Sequence, residues 1–190
     1  RALGVEGCHF VGLSMGGFVA LRMALNYPEL VRSIAVLDSS ADPEPQENHG
    51  KYKFLNFILR WFGARPVVKS VMPIMFSQTF LKDPSRRQLR DRWARFLGRV
   101  PNRKSMAKAV QGVIERKGVY ERLGEIETPT LILVGEEDTA TVPEKSERMH
   151  AAIKGSEFVR VPHGGHVSTI DAPDDVNAAL ERFFAKIDNS

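Results

Sequence analysis

Short apolar runs alternate with helix-period segments at both ends of the chain, and the middle breaks that alternation. Cys8 to Leu13, CHFVGL, and Ser33 to Leu37, SIAVL, are nearly continuous in apolar residues. Runs of this kind predict strands of a parallel sheet covered on both faces. Between them, Met15 to Asn26 carries Phe18, Leu21 and Leu25 on helical spacing. Tyr27-Pro28 closes that helix, because a proline drives the residue before it out of helical backbone. The rhythm returns at Thr130 with the strand TLILV. A helix follows from Pro143 to Ile153, then a strand from Ser156 to Val161 and a helix from Pro173 to Ile187. Asp174 and Asp175 suit the positive end of that last helix. The outline is β-α-β, an interruption, then β-α-β-α, which predicts an α/β fold with a parallel sheet.

The interruption reads as helical. Pro43, Pro45 and Asn48 open it as a loop, and Lys51 to Phe62, KYKFLNFILRWF, is an aromatic-rich helix. Ser85 to Val100 sets Leu89, Trp93, Phe96, Leu97 and Val100 at helical spacing with arginines opposite. Lys104 to Lys117 predicts a third helix, weakened by Gly112. The expected organisation is a core segment over 1–40, a helical insertion over 41–125 and a second core segment over 126–190.

Charge supports that division. The net charge of the 190 residues is +4. Residues 41–125 hold 18 Lys/Arg against 8 Asp/Glu, while the rest hold 9 against 15. The arginines at 86, 87, 90, 92, 95, 99 and 103 read as a solvated helical face. No nucleic-acid-reading motif accompanies them, so no nucleic-acid partner is expected. No apolar run approaches the ~18 residues of a membrane span, so no membrane partner is expected. The single cysteine, Cys8, excludes an intrachain disulfide and fits a reducing, cytoplasmic compartment.

The candidate chemistry starts at GLSMGG, residues 12–17. A serine on a sharp strand-to-helix turn is lifted out of the sheet and held rigidly, as a nucleophile requires. Gly12 and Gly16 supply small residues on either side of Ser14, and Gly17 lets the helix sit close to the sheet. The Met15 amide then stands at a helix N-terminus, where an oxyanion would form. Two later loops follow predicted strands. GEEDTATVP, residues 135–143, offers Asp138, and PHGGHVS, residues 162–168, offers His166. Both fall at carboxyl ends of strands, where α/β sites form. Asp38, after SIAVL, is the alternative acid, and His163 the alternative base. Glu136 and Glu137 read as solvated, His9 and Cys8 as core, and His49 and His150 as surface. The histidines lack metal-ligand spacing with carboxylates, so neither a metal nor another cofactor is expected.

These segments resemble the nucleophile, acid and histidine regions of α/β-hydrolase-fold serine hydrolases, especially the small esterases, enol-lactonases and cofactor-free haloperoxidases. The resemblance covers about residues 8–40 and 128–187. It implies Ser14 as nucleophile, Asp138 as acid, His166 as base and the insertion as a cap. It implies hydrolysis of a small ester or lactone, with carbon–carbon hydrolysis, perhydrolysis or non-catalytic binding as alternatives. Phe57, Trp61, Met72 and Phe76 are the expected substrate-binding residues of the cap. In such enzymes more strands precede the nucleophile than the one seen here. The resemblance therefore implies that only the last four strands are present. The expected partner is the missing N-terminal half of the hydrolase domain, or alternatively a second copy of the chain.

Overall fold

The computed structural model describes residues 4–189. Four parallel strands form one sheet in the order β1 (Cys8–Leu13), β2 (Val31–Leu37), β3 (Thr130–Gly135) and β4 (Glu157–Val161). Strand order thus follows chain order, and the register aligns Leu13 with Leu37 and Leu37 with Leu133. That alignment brings the carboxyl ends of three strands to one edge. The predicted α1 (Met15–Asn26) connects β1 to β2.

β2 from Ser33 onward and β3 are buried along their length because each face has its own cover. On one side Ile34, Val36 and Ile132 pack with Leu21 of α1 and with Met149. On the other, Ala35, Leu37, Leu131 and Leu133 pack under Val176 and Phe183. Successive residues of β2 serve opposite cores, as the period of two demands. β1 is one edge of this sheet, and its Val11 is exposed.

Five helices lie between β2 and β3: α2 (Gln46–Phe62), α3 (Val68–Met75), α4 (Gln78–Lys82), α5 (Arg87–Leu97) and α6 (Arg103–Ile114). The expected helices at 51–62, 85–100 and 104–117 correspond to α2, α5 and α6. Between the first two, where the sequence predicts no element, lie α3, despite its internal Pro73, and α4, capped by the Ser77 hydroxyl accepting from Phe80 N–H. Met72, Phe76, Phe80 and Val167 form a third core, with Trp93 packed against it. After β3 come α7 (Pro143–Ala152), β4, the single turn α8 (Ser168–Asp171) and α9 (Pro173–Asp188). No helix among the described residues is long and apolar enough to cross a membrane.

Candidate active site

Ser14 stands between β1 and α1 with φ 52° and ψ −115°, left-handed backbone that a residue with a Cβ seldom adopts. Three contacts hold it there. Its N–H donates to Leu37 O at 2.9 Å, its carbonyl accepts from Gly17 N–H at 2.9 Å, and the Ser39 hydroxyl donates to the same carbonyl at 2.7 Å. The flanking glycines differ in role. A Cβ on Gly12 would lie 2.2 Å from Gly16 O, and one on Gly17 would lie 2.5 Å from the Ser39 side chain. A Cβ on Gly16 would meet nothing within 4 Å. The turn therefore requires Gly12 and Gly17, not the symmetrical Gly12 and Gly16 expected from the motif.

The loops after β3 and β4 bring two side chains to this serine. His166 Nε2 lies 2.7 Å from Ser14 Oγ, and its Nδ1 lies 2.9 Å from Asp138 Oδ2. The carboxylate can only accept, so Nδ1 carries the proton and Nε2 accepts from the serine hydroxyl. Asp138 is itself fixed. Oδ1 accepts from the N–H groups of Ala140 and Thr141 at 2.8 and 2.9 Å, and Oδ2 accepts from the Thr141 hydroxyl at 2.8 Å. Burial pushes the His166 imidazolium down in pKa. The hydrogen bond and charge of Asp138, with Asp38 and Glu44 further off, outweigh this and hold it above the ordinary histidine value. The Met15 N–H opens α1 and has no hydrogen-bond partner among the described residues.

Two carboxylates that the sequence left without this role position the histidine loop. Asp38 is fully buried at the end of β2. It accepts from Gly135 N–H at 2.9 Å, from Ser168 N–H at 3.1 Å and from the Ser168 hydroxyl at 2.6 Å. Burial pushes its carboxyl up to about 7, against the opposing pull of the Ser168 and Gly135 bonds. Its hydrogen bonds go to Gly135 and Ser168 and not to the His166 ring, so its geometry is that of a brace between the two loops. Asp171 accepts from Gly165 N–H and Ser77 N–H, each at 2.8 Å, tying the histidine loop to the start of α4. Burial raises its pKa as well. Val167 N–H donates to Met75 O at 2.9 Å, a further link to the helical segment.

The remaining candidates fall elsewhere. His163 is exposed, and its Nδ1 lies 3.8 Å from Glu137. Glu137, expected in solvent, instead accepts from Thr79 N–H at 3.0 Å and from the Thr79 hydroxyl. Only Glu136 of that pair is exposed. His9 bonds Ser33 Oγ at 2.7 Å, and Cys8 is half-buried with Sγ toward Leu30 O.

A cavity of about 260 Å³ opens on Ser14 and His166. Its wall is mostly apolar and comes largely from the helical segment, including Leu55, Leu59, Val67, Val71, Ile74 and Met75. None of the four expected substrate-binding residues borders it. Phe57 and Trp61 lie on the opposite stripe of α2 and are 56% and 63% exposed. Met72 and Phe76 turn away from the cavity into the core with Phe80 and Val167. α2 falls where the sequence predicts a helix, but the sequence does not tell its two faces apart. α2 carries two apolar stripes, and the inner one is Tyr52, Leu55, Asn56 and Leu59.

Comparison with known proteins bears on the fold. Residues 1–173 match the family model for the alpha/beta hydrolase fold. A Pseudomonas syringae pv. syringae protein named for carbamate hydrolysis, RutD, is 26% identical over 184 residues, covering 97% of this chain and 70% of its own length. A 2-hydroxy-6-oxo-6-phenylhexa-2,4-dienoate hydrolase from Burkholderia cepacia is 29% identical, with 97% and 65% covered. Among solved structures, a thermophilic esterase from Thermogutta terrifontis superposes with a TM-score of 0.88 at 26% identity, covering 98% of this chain and 68% of that one. The chain spans about two thirds of the length of the relatives it matches. With its parallel sheet and interposed helices, it belongs to the alpha/beta hydrolase fold family and is similar to named hydrolases within it.

Proposed function

We propose that this chain carries the catalytic residues of a serine hydrolase that cleaves a small carboxylic ester or lactone through an acyl-enzyme. The observation that carries the reading is the line from Ser14 Oγ through His166 to Asp138, with successive distances of 2.7 and 2.9 Å. His166 Nε2 takes the serine proton as Oγ attacks the carbonyl carbon. Asp138 stabilises the imidazolium that results. The Met15 N–H faces the charge that develops on the carbonyl oxygen. His166 then gives its proton to the departing alkoxide, and the acyl group remains on Ser14. Water, deprotonated by the same nitrogen, attacks the acyl-enzyme and releases the acid. Residues 41–125 act as the cap, and their apolar cavity receives the acyl group.

A second reading has one observation in its favour. The Burkholderia cepacia relative is named as a hydrolase of 2-hydroxy-6-oxo-6-phenylhexa-2,4-dienoate, a compound without an ester bond, so hydrolysis of such a substrate breaks a carbon–carbon bond. A fluorophosphonate probe and two substrates separate the readings. Labelling of Ser14, found by peptide mass, together with turnover of p-nitrophenyl butyrate supports the ester reading. Turnover of a 2-hydroxy-6-oxo-dienoate without ester turnover selects the alternative. Absence of labelling with folded protein overturns both.

A further inference from the structure

The outer face of α2 is an apolar stripe edged with cations. Phe54, Phe57 and Trp61 follow one another at helical spacings of three and four, and with Phe62 they are 56% to 67% exposed. The Phe57 and Trp61 rings lie 6.5 Å apart, and the Arg60 guanidinium stands 6.0 Å from the centroid of Trp61. At about 100° of turn per residue, Lys53 and Arg60 run along one side of the stripe and Lys51 along the other. All three cations are exposed. Glu47, the one acidic residue of α2, stands two turns before Phe54. The opposite stripe, with Leu55 and Leu59, walls the cavity over Ser14, and Asn56 is tied to Ala107 O at 3.1 Å. The helix therefore cannot roll to bury its outer rings without dismantling that wall.

Contiguous exposed rings of this kind mark a surface that something covers. We propose that the outer face of α2 docks the protein on an anionic phospholipid surface, its rings entering the headgroup region and Lys51, Lys53 and Arg60 meeting the acidic headgroups. No helix among the described residues can cross a bilayer, and the sequence led to an expectation of no membrane partner on that ground. A helix lying in the plane of the surface needs no spanning run. It needs one apolar face with basic edges, and α2 has both. Charge decides between occupants. An acidic bilayer supplies counter-charge to the edges while the rings leave water. A second copy paired across a two-fold axis would instead set Lys53 and Arg60 against the same cations. The surrounding segment adds to the attraction, since residues 41–125 hold 18 Lys/Arg against 8 Asp/Glu. Docking of this kind uses nothing of the chemistry at Ser14.

Cosedimentation with two kinds of vesicle tests this: phosphatidylcholine alone, and phosphatidylcholine with about 30% phosphatidylglycerol. The unaltered protein should bind the acidic vesicles at least about tenfold more tightly than the neutral ones, and salt at about 0.5 M should remove most of the difference. Phe57→Ser combined with Trp61→Ser deletes two rings at constant charge. It should weaken binding to acidic vesicles by about tenfold or more, with far-UV circular dichroism and turnover of a soluble aryl ester unchanged. Lys53→Gln combined with Arg60→Gln should bring the affinity for acidic vesicles toward that for neutral ones. Ser14→Ala should bind like the unaltered protein, so vesicle binding and ester turnover fail separately. No binding to either vesicle overturns the proposal, as does equal binding to both. Undiminished binding by the ring-deleted protein overturns it by assigning adhesion to the arginines of α5. A lipid-free dimer in sedimentation velocity that ring deletion dissolves overturns it in favour of a second copy.

Discussion

Ser168 donates both its backbone N–H and its hydroxyl to one carboxylate oxygen of Asp38, at 3.1 and 2.6 Å. The other oxygen of Asp38 holds Gly135 N–H. Gly135 lies three residues before Asp138, and Ser168 lies two after His166. One buried carboxylate thus spans the bases of both loops that approach Ser14.

Replacing that carboxylate should loosen the alignment without removing a reacting group. Asp38→Asn puts an NH2 where an acceptor was, facing donors. Turnover of a small aryl ester should fall by roughly tenfold to a hundredfold, through kcat more than KM. Asp138→Asn should fall much further, on the order of 10⁴-fold, by disturbing the histidine tautomer. Equal losses in the two variants would show that Asp38 shares the role of the acid. Stability carries a second signature. The folded pKa of Asp38, about 7, exceeds its unfolded value, so its contribution is fully present below the unfolded pKa and is lost as pH rises toward 7. The thermal midpoint of the Asn variant should therefore fall less than that of the unaltered protein between pH 5 and pH 7.

Ser14→Ala should lower ester turnover by roughly 10³-fold or more and abolish fluorophosphonate labelling. Its far-UV circular dichroism should be unchanged, and relief of nothing but one hydroxyl leaves the backbone at φ 52° in place. Retained turnover in this variant would remove Ser14 from the reaction.

The pH profile follows from His166. It must be neutral to accept the serine proton, and Asp138 holds its pKa above the ordinary value of about 6.5. The acid limb of kcat/KM should therefore lie above that value and move down in Asp138→Asn. The stability linked to this shift is fully present below the unfolded pKa and is lost as pH rises through the folded pKa. Activity thus emerges on the side where the imidazolium pairing is given up. An acid limb below pH 6 in the unaltered protein would contradict the arrangement.

Cavity shape gives an expectation that separates the two stripes of α2. Phe57→Ala and Trp61→Ala, on the outer stripe, should change kcat/KM for butyrate and octanoate esters by less than about twofold, as surface changes do. Ile74→Phe, on the wall, should depress the octanoate ester well beyond the acetate ester by filling the cavity. A large loss from either outer-stripe variant would place substrate on the exposed face.

How much of this was legible depended on the range of the interactions. Ser14, Asp138 and His166 sit at strand ends flanked by glycines and turn residues, so local pattern located them. The fold followed for a similar reason, since Ile34, Val36, Ile132 and Leu133 declare strands with two buried faces. Asp38 stood out only as an alternative acid, and Asp171 not at all, because the partners that make them braces lie up to 130 residues away in the chain. The sequence marks α2 only as an aromatic-rich helix, and the packing against α6, through Asn56 and Ala107, decides which of its stripes turns inward. Met72 and Phe76 failed for the same reason. They are apolar and near the site, and they serve the core that supports the cavity wall.

The elbow glycines provide the sharpest contrast between motif and structure. The motif gives Gly12 and Gly16 equal status, two residues either side of Ser14. In the fold, a methyl group on Gly12 collides with backbone atoms of Gly16 and Gly17 at 2.2 to 2.7 Å. Backbone cannot rotate aside as a side chain can, so relief must come from displacing α1 or the Ser14 turn. Gly12→Ala should therefore cost about 1–3 kcal/mol or more of stability, in the manner of core overpacking, and should also disrupt the 2.7 Å contact between Ser14 and His166. Gly16 has open space at its Cβ position and lies in α1, where alanine is the better helix former by roughly 0.5–1 kcal/mol. Gly16→Ala should hold or raise the thermal midpoint. Its effect on turnover then reports whether substrate occupies the space that the added methyl enters. Thermal denaturation of the two variants side by side checks the pair. Equal destabilisation by both would mean that α1 does not pack against β1 at the distance found here.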